Sequence, residues 1–178
     1  MRVIAGTARG LPIKAPAGRD VRPTLDRVRE AVFNILAPRV SAARFLDLYA
    51  GSGAIGIEAL SRGAAHATFV EADPANVRII AENLAKTRLA DRAACITAPL
   101  PSALRRVRGP IDLVYADAPF DRFDPIALLQ ALTRATILAP DAWTLLEHPA
   151  HSQPPQTIER LTRFDLRRYG QVAISFYA

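Results

Sequence analysis

Apolar and polar positions alternate over two short runs near the start of the chain. "RVIAG" and "LPIKA", joined through Arg9-Gly10, predict two short strands. The period then lengthens. Leu25, Val28, Val32, Ile35 and Leu36 recur at helical spacing, with Thr24 placed to cap the helix and Pro38 to end it. From residue 44 onward, apolar runs and helical stripes take turns. Strands are predicted over 44–49, 66–72, 93–98, 111–117 and 142–148. Between them fall a helix from Ala54 closed by Gly63, one opened by Asp73-Pro74, a short one over 100–106 and one over 124–138. Val77, Ile80, Ala81 and Leu84 form the buried stripe of the second of these. "LTRFDLRRY" and "QVAISFY" flank Gly170 and predict a closing hairpin.

Strand–helix alternation implies an α/β fold, a mostly parallel sheet with helices on both faces and an antiparallel hairpin at one edge. Ligands of such sheets lie at the carboxyl ends of the strands. At 178 residues, half of them hydrophobic, one domain over 1–178 is expected. No apolar run reaches the roughly 20 residues of a membrane helix, so no membrane partner is expected. "VIAGTARG" after Met1-Arg2 lacks the apolar stretch of a signal peptide. The single cysteine, Cys95, excludes an internal disulfide and fits a reducing, cytoplasmic location. His148-x-x-His151 has no third ligand nearby, and no metal is expected.

Charge is distributed unevenly. Residues 1–44 hold nine Lys/Arg and three Asp/Glu, whereas the remainder holds fourteen of each. A basic arm of 1–40 attached to a neutral core of 41–178 is the electrostatic footprint of a polyanion binder.

Three strand ends carry candidate chemistry. "FLDLYAGSGAIGIEALSRG" contains Gly51-Ser52-Gly53-Ala54-Ile55-Gly56, a G-x-G-x-x-G turn between strand and helix, with Asp47 four residues ahead of it. Gly51 and Gly53 let backbone approach a ligand; Gly56 falls inside the helix and suits close packing on the sheet. Glu71, at the end of the second strand, is positioned to accept from an adenosine ribose, while Asp73 is explained by capping the next helix. Asp117-Ala118-Pro119-Phe120 follows the fourth strand. A nicotinamide enzyme gives no reason for this set, but a base-modifying enzyme does. Phe120 can stack on a base, and Asp117 and the Ala118 carbonyl can accept from an exocyclic amine.

"FLDLYAGSGAIGIEALSRGA" resembles the first motif of class I S-adenosylmethionine-dependent methyltransferases, and "DAPF" resembles their amino-methylating D/N-P-P-Y/F motif. "RVIAGTARG" with "RPTLDRVREAVFNIL" is similar to the bacterial RsmD family of 16S ribosomal RNA guanine-N2 methyltransferases, through to the closing "YGQVAISFY". The resemblance implies a Rossmann-like fold with a seven-stranded sheet, plus a small basic N-terminal β-hairpin and helix. It implies S-adenosylmethionine as cofactor, held by Asp47, Tyr49, Gly51, Ser52, Gly53 and Glu71. Asp117, Ala118, Pro119 and Phe120 would hold the target guanine, and Arg2, Arg9, Arg22, Arg27 and Arg29 would bind RNA phosphates. The implied partner is ribosomal RNA in a partly assembled small subunit, and a monomer is expected. Two positions depart from the family pattern. Ala118 replaces a proline of the motif, and "ITAPLPSAL" has no acidic residue for the adenine amine, which leaves backbone and packing to hold it. Adenine-N6 methylation, nicotinamide-dependent redox chemistry and non-catalytic RNA binding are the alternative readings.

Overall fold

The protein's computed structural model describes residues 1–16, 23–119 and 124–178. Five strands run parallel: β1 (Arg44–Leu48), β2 (His66–Glu71), β3 (Ala93–Thr97), β4 (Ile111–Asp117) and β5 (Leu138–Pro149). Three more extend the sheet by antiparallel pairing in turn: β8 (Val172–Tyr177) on β5, β7 (Leu161–Tyr169) on β8 and β6 (Thr157–Ile158) on β7. The order is β3-β2-β1-β4-β5-β8-β7-β6. The sheet thus has eight strands where seven were expected, the addition being the two-residue β6 at the edge. The hairpin turns at Gly170, whose φ of 64° favours glycine. The central strands are short and buried on both faces, which explains their continuous apolar runs.

Helices α1 (Pro23–Val40), α2 (Ala54–Ser61) and α3 (Pro74–Thr87) bring Val32, Phe33, Leu36, Ile57, Leu60, Ile80 and Leu84 against Phe45, Phe69, Leu113 and Leu145 on one face. Helix α4 (Pro125–Arg134) and a 3-10 turn over Ser102–Arg106 pack Leu128, Leu129, Leu132 and Leu104 on Leu46, Leu48, Val114 and Leu146 of the other. Each of these large buried side chains contributes roughly 1.5–3 kcal/mol relative to exposure. No described helix is long and apolar enough to cross a membrane.

Several local expectations are corrected. Helix α1 begins at Pro23, so Thr24 lies within the helix rather than capping it; proline is preorganised for a first turn. Pro38 does not end α1, which continues to Val40. Burial of Leu36 and Val40 holds the last turn although Pro38 donates no N–H. The helix expected over 124–138 stops at Arg134; Thr136 takes a φ of 52° and Leu138 already pairs with Ile111 in the sheet.

The N-terminal segment is not a two-stranded hairpin. It forms one antiparallel bridge, Arg2 to Pro12, with Val3 N donating to Leu11 O and Gly10 N to Val3 O. Pro12 has no N–H to extend a ladder. The segment is held by α2 instead. Glu58, fully buried, accepts from Ile4 N at 2.8 Å and from Ala5 N at 3.0 Å, and Ser61 Oγ accepts from Ala8 N while donating to Ala5 O.

Candidate active site

A cleft opens where β1, β4 and β5 end. Its lining includes Asp47, Tyr49, Ala50, Ser52, Ala54, Ile55, Tyr115, Asp117 and Glu147 from the sheet side, and Met1, Ala15, Pro16, Val28 and Arg29 from the N-terminal side. Parallel register explains why the acidic groups converge. Asp47 is opposite Tyr115, and Asp117 is opposite Glu147. Residues two apart on a strand share a face, so Tyr115 and Asp117 point the same way.

The glycine loop is shaped by its neighbours. Gly51 and Gly53 have φ of 56° and 76°, and a Cβ on Gly53 would stand 3.2–3.3 Å from Ile80 and Phe69. Tyr49, just before, also takes a left-handed φ of 58°. Gly53 offers α2 no capping side chain, and Asp47 supplies the acceptor from the strand: its Oδ2 accepts from Gly56 N at 2.9 Å. Gly56 packs so closely on the sheet that an added Cβ would come within 2.3 Å of Phe69. Glu71 closes the loop from below. One oxygen accepts from Gly51 N at 2.8 Å and the other from Asp73 N at 2.9 Å. Each oxygen retains acceptor capacity. Asp73 caps α3 through Ala75 N, as its position before Pro74 suggests. Asn83 of α3, buried, donates to Ser52 O and Lys14 O and accepts from Lys14 N, tying the loop to the N-terminal wall.

Burial raises the acids. Asp47, 2 % exposed, is held well above the usual carboxylate range, chiefly by desolvation and against its hydrogen bond from Gly56, with Asp117 and Glu71 adding like charge. Glu147, 6 % exposed, is pushed up to about 8 by desolvation and by Asp117, while the hydrogen bond from Tyr115 pulls the other way. Neither Asp47 nor Glu147 is paired with a Lys or Arg among the described residues. Buried acids of this kind favour a ligand that brings positive charge, and the spare acceptor capacity of Glu71 suits ribose hydroxyls, so the residues present fit a sulfonium-bearing nucleoside. No cluster of potential metal ligands occurs among the described residues.

Asp117, Ala118 and Pro119 stand together at the end of β4, with Ala118 buried. Phe120 and Arg22 lie outside the described residues. Arg2, Arg9 and Arg27 are exposed. Arg29 is not: at 3 % exposure its guanidinium turns inward to Arg2 O, Asp26 and the neighbourhood of Glu58. It is removed from the set of surface phosphate binders, because α1 buries the face that carries it. Glu147, Tyr115, Glu58 and Asn83 were not singled out from the sequence. For Glu147 a signal existed: it is the one acid of "AWTLLEH", in step with Trp143 and Leu145.

A mixed sheet in this order, with a glycine loop after β1 and an acid–x–proline sequence at the end of β4, defines a class I methyltransferase. A family described as Conserved hypothetical protein 95 matches residues 1–178, and the chain belongs to it, the RsmD family that its sequence resembles. It is 37% identical over 177 residues to Ribosomal RNA small subunit methyltransferase D of Escherichia coli (strain K12), covering 99% of this chain and 89% of that one. It is 34% identical over 181 residues to YlbH of Bacillus subtilis (strain 168), covering 99% and 98%. The solved structure of yhhF from Escherichia coli superposes with a TM-score of 0.86 at 36% identity, over 99% of this chain and 96% of the other.

Proposed function

We propose that this protein methylates the exocyclic N2 of a guanine in small-subunit ribosomal RNA, using S-adenosylmethionine. The observation that carries the reading is the position of Asp117 on the same cleft as Asp47 and the glycine loop. An acceptor for a base amine thereby faces the place where a cofactor would lie. The full-length likeness to a protein named for small-subunit ribosomal RNA supports the choice of substrate.

When bound, S-adenosylmethionine supplies an electrophilic methyl group on a sulfonium. The chain's own residues do the positioning. Glu71 would hold the ribose hydroxyls with the acceptor capacity left beside Gly51 N and Asp73 N. Asp47, with Oδ2 held by Gly56 N, would face the cationic end. Asp117 and the Ala118 carbonyl would accept from the two N–H groups of the amine, turning its lone pair toward the methyl carbon. Phe120 would stack on the base. Holding the reactants in line can lower a barrier by roughly 7–11 kcal/mol. After methyl transfer the amine would be cationic and strongly acidic and would lose its proton to water, so no histidine base is needed. Exposed Arg2, Arg9 and Arg27, together with Arg22, would hold RNA phosphates.

The test is transfer of a labelled methyl group to ribosomal RNA and to partly assembled small subunits from a strain lacking the enzyme, followed by nucleoside mass spectrometry. N2-methylguanosine is the expected product. N6-methyladenosine would move the specificity to adenine, and absence of label in both substrates would overturn the reading.

A further inference from the structure

We propose that the strip of surface between α1 and β7 is the track for the single-stranded RNA beside the target base, with Arg27 on one bank and Arg167 on the other. The proposal rests on the RNA methyltransferase reading. It extends that reading to the C-terminal hairpin, which the charge count along the chain leaves within a neutral core.

One row of cross-strand partners crosses the end of the sheet. Asp117 on β4 is opposite Glu147 on β5, Glu147 is opposite Ile174 on β8, and Ile174 is opposite Arg167 on β7. Directly opposed residues share a face, so Arg167 projects on the side where Asp117 and Glu147 line the cleft. Three strand spacings separate it from Asp117, roughly 14 Å. Ile174 between them is buried and Arg167 is exposed. A register shift between Arg163 and Asp165 sorts the charges of the hairpin. Asp165, Arg167 and Tyr169 fall on the cleft side, opposite Phe176, Ile174 and Val172. Arg163 and Arg168 fall on the other, where Pro154 O and Gln156 Oε1 hold Arg163.

Helix α1 forms the second bank. Arg27, Ala31, Ile35 and Arg39 recur every four residues and lie along one side of it. The far end of that side is fixed. The Arg39 guanidinium lies 4.7 Å over the Trp143 ring, and Trp143 meets Phe164 of β7 with centroids 4.7 Å apart. Val28, at the near end of α1, lines the cleft. From Arg39 back to Arg27 the helix covers about 18 Å. From Phe164 to Tyr169 the strand covers about 17 Å in the same direction. Arg27 and Tyr169 therefore stand at one level, with Arg167 a step below.

Arg27 forms no ion pair among the described residues, and Arg167 is paired only with Asp165, at 2.8 Å. Tyr169, half-buried, feels the charge of both Arg167 and Asp165. Cations along a strip with an aromatic among them fit a nucleic-acid strand. A base amine reaches Asp117 only when the base leaves its stack, which makes the adjoining nucleotides single-stranded. The N-terminal segment walls the cleft at Met1, Ala15 and Pro16, whereas the row from Glu147 to Arg167 continues it without a change of face. Guarding a sheet margin against pairing is the ordinary reason for arginine on an outlying strand. Arg168, exposed on the opposite face, meets that reason equally well, so the two arginines separate the explanations.

The test is steady-state methylation of small-subunit ribosomal RNA, with binding of the same RNA measured over a range of salt. Arg167→Gln should raise KM for RNA about two- to fivefold at unchanged kcat, the range of one exposed charge pair. Its slope of log K against log salt should shrink by about 0.7. Arg168→Gln should do neither. Asp165→Asn keeps the acceptor for Leu166 N but releases Arg167, and should lower KM. Equal effects of the two arginine variants, no effect of either, or no gain from Asp165→Asn overturns the track. A loss seen only with partly assembled subunits, and not with naked RNA, assigns the face to a protein of the particle and also overturns it. Wild-type protein that transfers no methyl group to RNA or subunits refutes the methyltransferase reading itself.

Discussion

The Tyr115 hydroxyl donates a short hydrogen bond to Glu147 Oε2 across the β4–β5 boundary, on the floor of the cleft. Glu147 has a raised pKa in spite of this bond, which favours its anion. Its pKa, about 8 in the fold, lies above the ordinary 4.5 because burial and Asp117 disfavour the charge. A carboxyl raised in this way binds its proton more tightly in the folded state. Its stabilising contribution is complete below about 4.5 and is lost as pH rises through about 8. Denaturant unfolding measured from pH 4 to 9 should show stability falling over this window, and Glu147→Gln should flatten the fall. Tyr115→Phe removes the bond that favours the anion and should move the midpoint upward.

Asp117→Ala should reduce methyl transfer by about 100-fold or more, since a misplaced nucleophile alone costs that much. Affinity for S-adenosylhomocysteine should be nearly unchanged. Normal turnover in the variant would remove Asp117 from the reacting site.

Replacing Arg9, Arg22 and Arg27 by alanine should weaken RNA binding and flatten its dependence on salt. The slope of log K against log salt should shrink by about 0.7 for each phosphate of single-stranded RNA that an arginine no longer neutralises. A slope identical to wild type would place the RNA elsewhere.

Gly56→Ala should destabilise the protein by about 1–3 kcal/mol, as an added methyl must displace Phe69 or push α2 off the sheet. For a chain of this length each kcal/mol lowers Tm by about 2–4 °C. Because Gly56 N also meets Asp47 Oδ2, cofactor affinity should fall with it.

Glu58→Ala should cost more, about 3–5 kcal/mol, because it leaves Arg62 and Arg29 without their shared anion and Ile4 N and Ala5 N without acceptors. Limited proteolysis should then cut within residues 1–8, whose backbone Glu58 and Ser61 hold to α2 in the native chain.

The central strands and their helices were readable because each is a local pattern: an apolar run for β1 or β4, a stripe with a cap for α3. Gly56 was legible as a packing glycine for the same reason, its place inside α2 being set by the loop before it. What escaped depends on residues far apart in the chain. "RVIAG" and "LPIKA" looked like a strand pair, yet the first is held by Glu58 and the second by Asn83, each more than fifty residues on. Arg29 belongs by composition to a basic surface, and only the docking of α1 against β1 and α2 turns it inward. Glu147 carried a faint local mark, but its meaning depends on the register that sets it beside Asp117.

Asn83 offers one amide to two walls of the cleft: its Nδ2 group donates to Ser52 O at 2.9 Å and Lys14 O at 3.0 Å. Deamidation there would leave the acceptor for Lys14 N intact and set a carboxylate oxygen against two carbonyls. The glycine loop and the N-terminal wall would then part together, so a single ageing reaction on α3 would open the cleft from behind without altering any residue that touches a ligand.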